Sequence, residues 1–116
     1  MHELAIVQSL LEQVRSFMPE EAVLNEIRLE VGGLEHLDGE VMRTVFAAIT
    51  EGSELQGAAL SIRRIPVRVR CRSCGHEYEP EDAAVLLCPE CGLVQPEILQ
   101  GTGVLLKSLE IDQLND

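Results

Sequence analysis

Aromatic side chains are almost missing from this 116-residue chain: they form 3% of it, and tryptophan does not occur. The core must therefore be aliphatic. Basic residues are scarce as well, with nine Lys and Arg against 20 Asp and Glu and a formal charge of −11. Such a field repels a phosphate backbone, which excludes non-specific nucleic-acid binding as a default role; a cation, or a protein with a basic face, suits it better. No apolar run approaches the roughly 18–20 residues of a membrane span, so no membrane partner is expected. The opening residues lack the basic start of an export signal, and a cytoplasmic protein is expected. No HExxH, GxSxG or P-loop occurs, so a hydrolase has no support and the chain is not expected to be an enzyme.

What is present is an ordinary globular balance, 46% hydrophobic and 25% charged. The length suits one domain, or one domain with a small insert. A chain this short buries only about two-thirds of its unfolded surface, so a structural metal would add appreciably to its stability.

Cysteine is confined to one window. Cys71, Cys74, Cys88 and Cys91 form CRSC and CPEC pairs, spaced C-x2-C-x13-C-x2-C. Two residues between cysteines let both thiolates point at one ion, and two such knuckles complete a tetrahedral sulfur site. Gly75 and Gly92 follow the pairs and permit a tight turn of positive φ, so that backbone N–H groups reach the sulfurs. Pro89 pre-sets a turn in the second pair. The competing readings are two disulfides or buried thiols. A cytosolic redox poise disfavours disulfides, and a thioredoxin-like motif uses one such pair rather than two. The spacing predicts a structural Zn²⁺ on the four cysteines, with no coordination position left open for water. His76 is then expected to be a solvated loop residue.

Along the rest of the chain, residues 4 to 18 read as a helix. Leu4, Val7, Leu11, Val14 and Met18 recur at spacings of three and four, Leu10 and Phe17 widen the stripe, and Pro19 marks the end. Ile27, Leu29 and Val31 alternate with Arg28 and Glu30 as a half-buried strand closed by Gly32 and Gly33. A loop through His36 and Asp38 leads to a second helix with Val41, Met42, Val45, Phe46 and Ile49 on one face; Asp38 or the neighbouring turn caps it, and Gly52 lies just past its end. Ala58, Leu60 and Ile62 alternate in a second strand up to Pro66, and Val104 to Ile111 reads as a third. Between them, Arg68, Arg70, Arg72 and the acids Glu77, Glu79, Glu81 and Asp82 are expected on solvated faces of short hairpins. The expected fold is α+β: a small three-stranded sheet packed with two helices, carrying an inserted four-cysteine zinc-ribbon-like module. Residues 67–100 would form the zinc-binding domain, and residues 1–66 with 101–116 the α/β domain. Hinges beside residues 66 and 101 would let two copies exchange the insert, giving a homodimer.

The chain opens Met1-His2-Glu3, directly before the first helix. The Met1 amine, the amide nitrogen of His2 and its imidazole lie within one short chelate. The nitrogen or carboxylate of Glu3 adds a fourth donor, which suits square-planar Ni²⁺ or Cu²⁺. Bulky His2 disfavours removal of Met1. Taken alone, the same residues also read as a frayed helix start with an acid favoured by the helix dipole.

The combination is more specific. MHE before an amphipathic helix, a strand ending in glycine, and CxxCG then CPxCG before a terminal LLKSLEID resemble the HypA family of hydrogenase nickel-incorporation proteins, over essentially the whole chain. The resemblance implies a non-enzymatic nickel metallochaperone that works with a nickel-binding GTPase to load the [NiFe]-hydrogenase large subunit. It implies transient nickel on His2 and Glu3 with the Met1 amine as co-ligand, which makes the α/β domain the nickel-binding one, and structural zinc on the four cysteines. Ala5 stands where a serine is common and Gly39 where a proline is common; neither change removes a ligand. Asp38 stands where some members place an acid near nickel, and His36 is a second candidate in that loop, against ordinary readings as a helix cap and a solvated histidine. The alternative function is a zinc-ribbon adaptor that binds protein or RNA through the knuckles and the arginines around residues 63 to 72.

Overall fold

The computed structural model describes residues 2–82 and 85–113. Its elements run α1 (His2–Phe17), β1 (Ala22–Gly32), α2 (Gly39–Thr50), β2 (Ala59–Ile65), β3 (Arg68–Cys71), β4 (Glu77–Tyr78), β5 (Pro96–Gln100) and β6 (Val104–Gln113). They form two three-stranded sheets, ordered β2-β1-β6 and β4-β3-β5. The α+β class is the expected one, with two helices, a three-stranded sheet and the cysteine module between its last two strands in sequence. One compact unit comprises Met1–Leu29, Leu37–Ile62 and Leu106–Asp116; the other comprises Glu30–His36 and Arg63–Leu105. Among the described residues no helix is long and apolar enough to cross a membrane.

In the first unit α1 packs on α2. Val7, Leu10, Leu11 and Val14 of α1, Leu24, Ile27 and Leu29 of β1, and Met42 and Phe46 of α2 are buried, so the core is aliphatic apart from one ring. Each such side chain contributes about 1.5–3 kcal/mol by leaving water. Leu4 is half-buried, as is Met18 just beyond the helix, and two residues of the expected stripes are exposed. Phe17 is 67% exposed: it lies about 60° around the helix from Val14 and is the last helical residue, because the residue before Pro19 is driven out of helical geometry. Val41 is also exposed, whereas Val45 and Ile49 are half-buried.

Asp38 caps α2. Its Oδ1 accepts N–H bonds from Glu40 at 2.9 Å and Val41 at 3.4 Å, while its own backbone stays extended. The buried Thr50 hydroxyl is satisfied by donating to the Phe46 carbonyl at 2.7 Å. On β1 the burial alternates from Ile27 to Val31 as expected, but the strand begins earlier, at Ala22. In the added stretch Asn25 finds a partner on β6, donating to Asp112 at 2.9 Å, and further along Arg28 donates to Glu110 at 2.8 Å. Glu26 in turn accepts from Ser61 of β2.

The second unit is more regular than a set of short hairpins. β3 is its central strand, antiparallel to β4 with Val69 opposite Tyr78 and to β5 with Val69 opposite Ile98. Both connections to the cysteine segment are pinned to the turn after β1. Gly33 donates to the Ile65 carbonyl at 2.8 Å and Leu34 to that of Gly101 at 2.9 Å, while Gly103 donates to Glu35 at 2.7 Å. Gly101 has φ +104°, and a Cβ there would stand 2.7 Å from Val67 Cα; a Cβ on Gly32 would stand 2.2 Å from the Gly101 carbonyl. The backbones approach so closely that only glycine fits at either position.

Candidate metal centres

The four cysteines converge. Cys71 ends β3 and Cys74 follows in the turn towards β4, while Cys88 and Cys91 form a second turn before β5. The turns repeat one geometry. Gly75 donates to the Cys71 carbonyl at 2.8 Å and Gly92 to that of Cys88 at 3.0 Å, with φ of +81° and +75°. Closing pairs follow in each, Cys71 N–H to the His76 carbonyl at 2.8 Å and Cys88 N–H to that of Leu93 at 3.0 Å. Left-handed glycines thus fold each pair back on itself and aim both sulfurs inward.

All four sulfurs lie within 4.8 Å of one another, with Cys71 and Cys91 3.6 Å apart and Cys74 and Cys88 also 3.6 Å apart. The cysteines are free. A disulfide needs about 2.05 Å between sulfurs, whereas a tetrahedral site with bonds of about 2.3 Å has edges of about 3.8 Å. The donor set therefore fits one divalent ion held entirely by sulfur. Cys71 and Cys88 are buried; Cys74 and Cys91 form the outer edge.

Electrostatics point the same way. The N–H of Cys74 bonding to the Cys71 sulfur lowers that thiol to about 7, against burial, with the Ser73 N–H helping. The Leu93 N–H favours the Cys91 thiolate, but burial and the other three sulfurs outweigh it and push Cys91 up to about 12. Cys74 is likewise raised, by burial and by Cys88 and Cys71, despite the His76 N–H. The Cys71 thiolate forms readily while those of Cys74 and Cys91 are opposed, so a cation is what would stabilise them together. His76 is half-buried, stacked on Tyr78 with ring centroids 6.0 Å apart, rather than freely solvated. The Tyr78 hydroxyl donates to the Leu86 carbonyl at 2.6 Å, a tie across the module that no local pattern signals.

At the other candidate centre, Met1 lies outside the described residues. His2 is exposed and Glu3 half-buried, and both already belong to the first turn of α1 rather than to a tail before it. The Glu3 carboxylate accepts the Asp38 backbone N–H at 3.0 Å. That bond, with the Glu3 N–H, holds the Glu3 carboxyl below its ordinary value. The acidic loop thus meets the first turn through its backbone, while the Asp38 side chain is committed to capping α2. His36 is exposed.

The arginines on which an RNA-binding adaptor would depend are matched by neighbouring acids or carbonyls. Arg63 lies 3.5 Å from Glu30, Arg68 3.8 Å from both Glu77 and Glu79, and Arg70 3.1 Å from Glu97; Arg64 and Arg72 donate to backbone carbonyls. Among the described residues, Arg63, Arg68 and Arg70 are thus countered by carboxylates, which weakens this segment as a phosphate-binding stripe.

Four cysteine sulfurs gathered about one point are what a metal-binding protein presents. Residues 1–111 match the family described as HypA, hydrogenase/urease nickel incorporation, metallochaperone. The chain belongs to that family. Hydrogenase maturation factor HypA of Desulfitobacterium hafniense is 30% identical over 115 residues, covering 97% of this chain and 100% of that one. Its counterpart in a Synechococcus species is 32% identical over 117 residues, covering 98% and 89%. The solution structure of the Ni metallochaperone HypA from Helicobacter pylori superposes with a TM-score of 0.61 at 24% identity, covering 96% and 97%. At that identity the likeness is one of fold.

Proposed function

We propose that this chain carries Ni²⁺ on Met1, His2 and Glu3 and helps insert it into the [NiFe]-hydrogenase large subunit, with Zn²⁺ on Cys71, Cys74, Cys88 and Cys91 as a permanent structural ion. The match to a nickel-incorporation family along residues 1–111 carries the reading. The exposed His2 supports the nickel end, because an imidazole at the surface can both take and release an ion. Nickel is cargo here, not a catalytic ion, and the protein acts without enzymatic chemistry. Since copper binds such nitrogen donors more strongly, selectivity comes from metal availability and from partners.

In this reading, residues 1–66 with 101–116 form the nickel-binding domain and residues 67–100 the zinc-binding domain. A nickel-binding GTPase and the large subunit are the partners, in the cytoplasm. A homodimer formed by exchange at residues 66 and 101 would have to break the pinning of Gly101, Gly33 and Gly103 described above; size-exclusion chromatography tests for it.

The decisive experiment is Ni²⁺ calorimetry on the untagged chain, a chain with one residue added before Met1, and His2→Ala, each with zinc content checked. The added residue turns the Met1 nitrogen into a peptide amide, and the substitution removes the imidazole. Both are expected to weaken nickel binding at least about tenfold and to leave zinc unchanged. Equal affinity in all three would sink the reading.

A further inference from the structure

Beyond the two metal centres, the cysteine module presents an apolar surface that its own fold leaves uncovered. Val85, Leu87, Leu93 and Val94 are each 46–62% exposed. Val85 and Leu87 line a groove of about 550 Å³ with Tyr78, Pro80 and Pro89, rimmed by Glu81 and its acidic neighbours. From Glu79 to Glu90 the sequence holds four acids, Glu79, Glu81, Asp82 and Glu90, and neither lysine nor arginine. The groove is tied in place. Tyr78 donates across it to the Leu86 carbonyl at 2.6 Å, Val85 donates to the Asp82 carbonyl at 2.9 Å, and Cys88 anchors its far end in the metal knuckle.

We propose that this groove docks a cationic amphipathic segment of a partner protein. One aliphatic side chain would sit against Tyr78, Val85, Leu87 and Pro89, with a lysine or arginine next to it facing Glu81. An apolar centre with a charged rim is the ordinary anatomy of a protein interface. The one-signed rim selects a basic partner and repels nucleic acid. Because the groove is already shaped by the tyrosine tie and the knuckle, little ordering is needed on this side of the complex. The site stands apart from nickel chemistry, and nothing in it depends on the MHE terminus.

The test uses the zinc-loaded full chain and a short labelled peptide of alternating leucine and lysine pairs, with a glutamate-for-lysine version as control. Amide resonances of Tyr78, Glu81, Val85 and Leu87 are expected to shift on titration with the lysine peptide. Leu87→Ser is expected to weaken binding about tenfold and Glu81→Lys about threefold or more. Glu12→Lys, the same charge change on the exposed side of α1, should stay within about twofold of the unmodified chain. Both probed side chains are exposed, so folding is not at stake; zinc content and amide spectra check it. Equal weakening by Glu12→Lys and Glu81→Lys would reduce the effect to attraction by net charge and overturn the proposal. So would tight binding of the glutamate peptide, shifts confined to the helices, or no binding of the lysine peptide.

Discussion

Replacing Gly101 with alanine should damage the cysteine-bearing unit far more than one added methyl group suggests. At φ +104° an L-residue is in a region that costs about 1–3 kcal/mol. The new Cβ would also stand 2.7 Å from Val67 Cα, 3.1 Å from Val67 Cγ2 and 3.2 Å from the Pro66 carbonyl oxygen. Two of these are backbone atoms and the third belongs to a buried side chain, so none can swing aside, and overpacking of this kind costs about 1–3 kcal/mol. Together the loss is about 2–6 kcal/mol, a large share of the 5–15 kcal/mol that holds a small protein folded. Gly103 supplies the control: its φ is +82°, but a Cβ there meets nothing within 4 Å, so alanine should cost only the backbone term, about 1–2 kcal/mol. Tyr78 is the only tyrosine and there is no tryptophan, so intrinsic fluorescence reports on the cysteine module alone. Guanidinium unfolding of the zinc-loaded variants, followed at Tyr78, should order them Gly103→Ala above Gly101→Ala. Equal midpoints, or a loss below about 1 kcal/mol for Gly101→Ala, would refute the close-approach argument.

Purified protein should hold one Zn²⁺ per chain at Zn–S distances of about 2.3 Å; Cys74→Ala or chelation should disorder residues 67–100 while much of the far-UV helical signal persists, and complete loss of helicity would contradict that division. Asp38→Ala should cost about 1 kcal/mol as a lost cap, whereas Asp38→Asn should restore stability and leave nickel affinity unchanged; a nickel loss with Asn would make the carboxylate a ligand. The folded-state Glu3 pKa lies below its unfolded value, so its contribution is complete above the unfolded value and is lost as pH falls through the folded one. Glu3→Gln should therefore flatten the acid limb of a thermal-stability profile, and an unchanged limb would remove the Asp38 bond from the account.

What could be read from the sequence is what depends on neighbours along the chain. The stripe Val7, Leu10, Leu11 and Val14 needs only helical period, and the alternation Ile27, Leu29, Val31 needs only strand period; both are buried as expected. Periodicity says nothing about where a stripe stops being covered, which is why Phe17 and Val41 fit the stripes and yet lie outside the core. The early start of β1 and the three-stranded order of the cysteine module rest on partners far along the chain, Asp112 for Asn25 and Ile98 for Val69. No local pattern encodes such a register.

The same distinction explains the uneven legibility of the candidate sites. Cys71 and Cys74 share one turn and Cys88 and Cys91 another, so their spacing alone implies convergent sulfurs, and the sulfurs do converge. The bond from Asp38 to Glu3 spans 35 residues and comes from a backbone N–H, a group that every non-proline residue carries. Composition shows neither that bond nor the neutralisation of Arg68 by Glu77 and Glu79 across a hairpin. Read as a string, residues 63 to 72 are a basic segment and residues 77 to 82 an acidic one. Antiparallel pairing of β3 with β4 brings part of each together, setting Arg68 and Arg70 against Glu77 and Glu79. Further on, the exposed Val85 and Leu87 stand beside Glu81, so the same module also presents an edge that is both acidic and apolar.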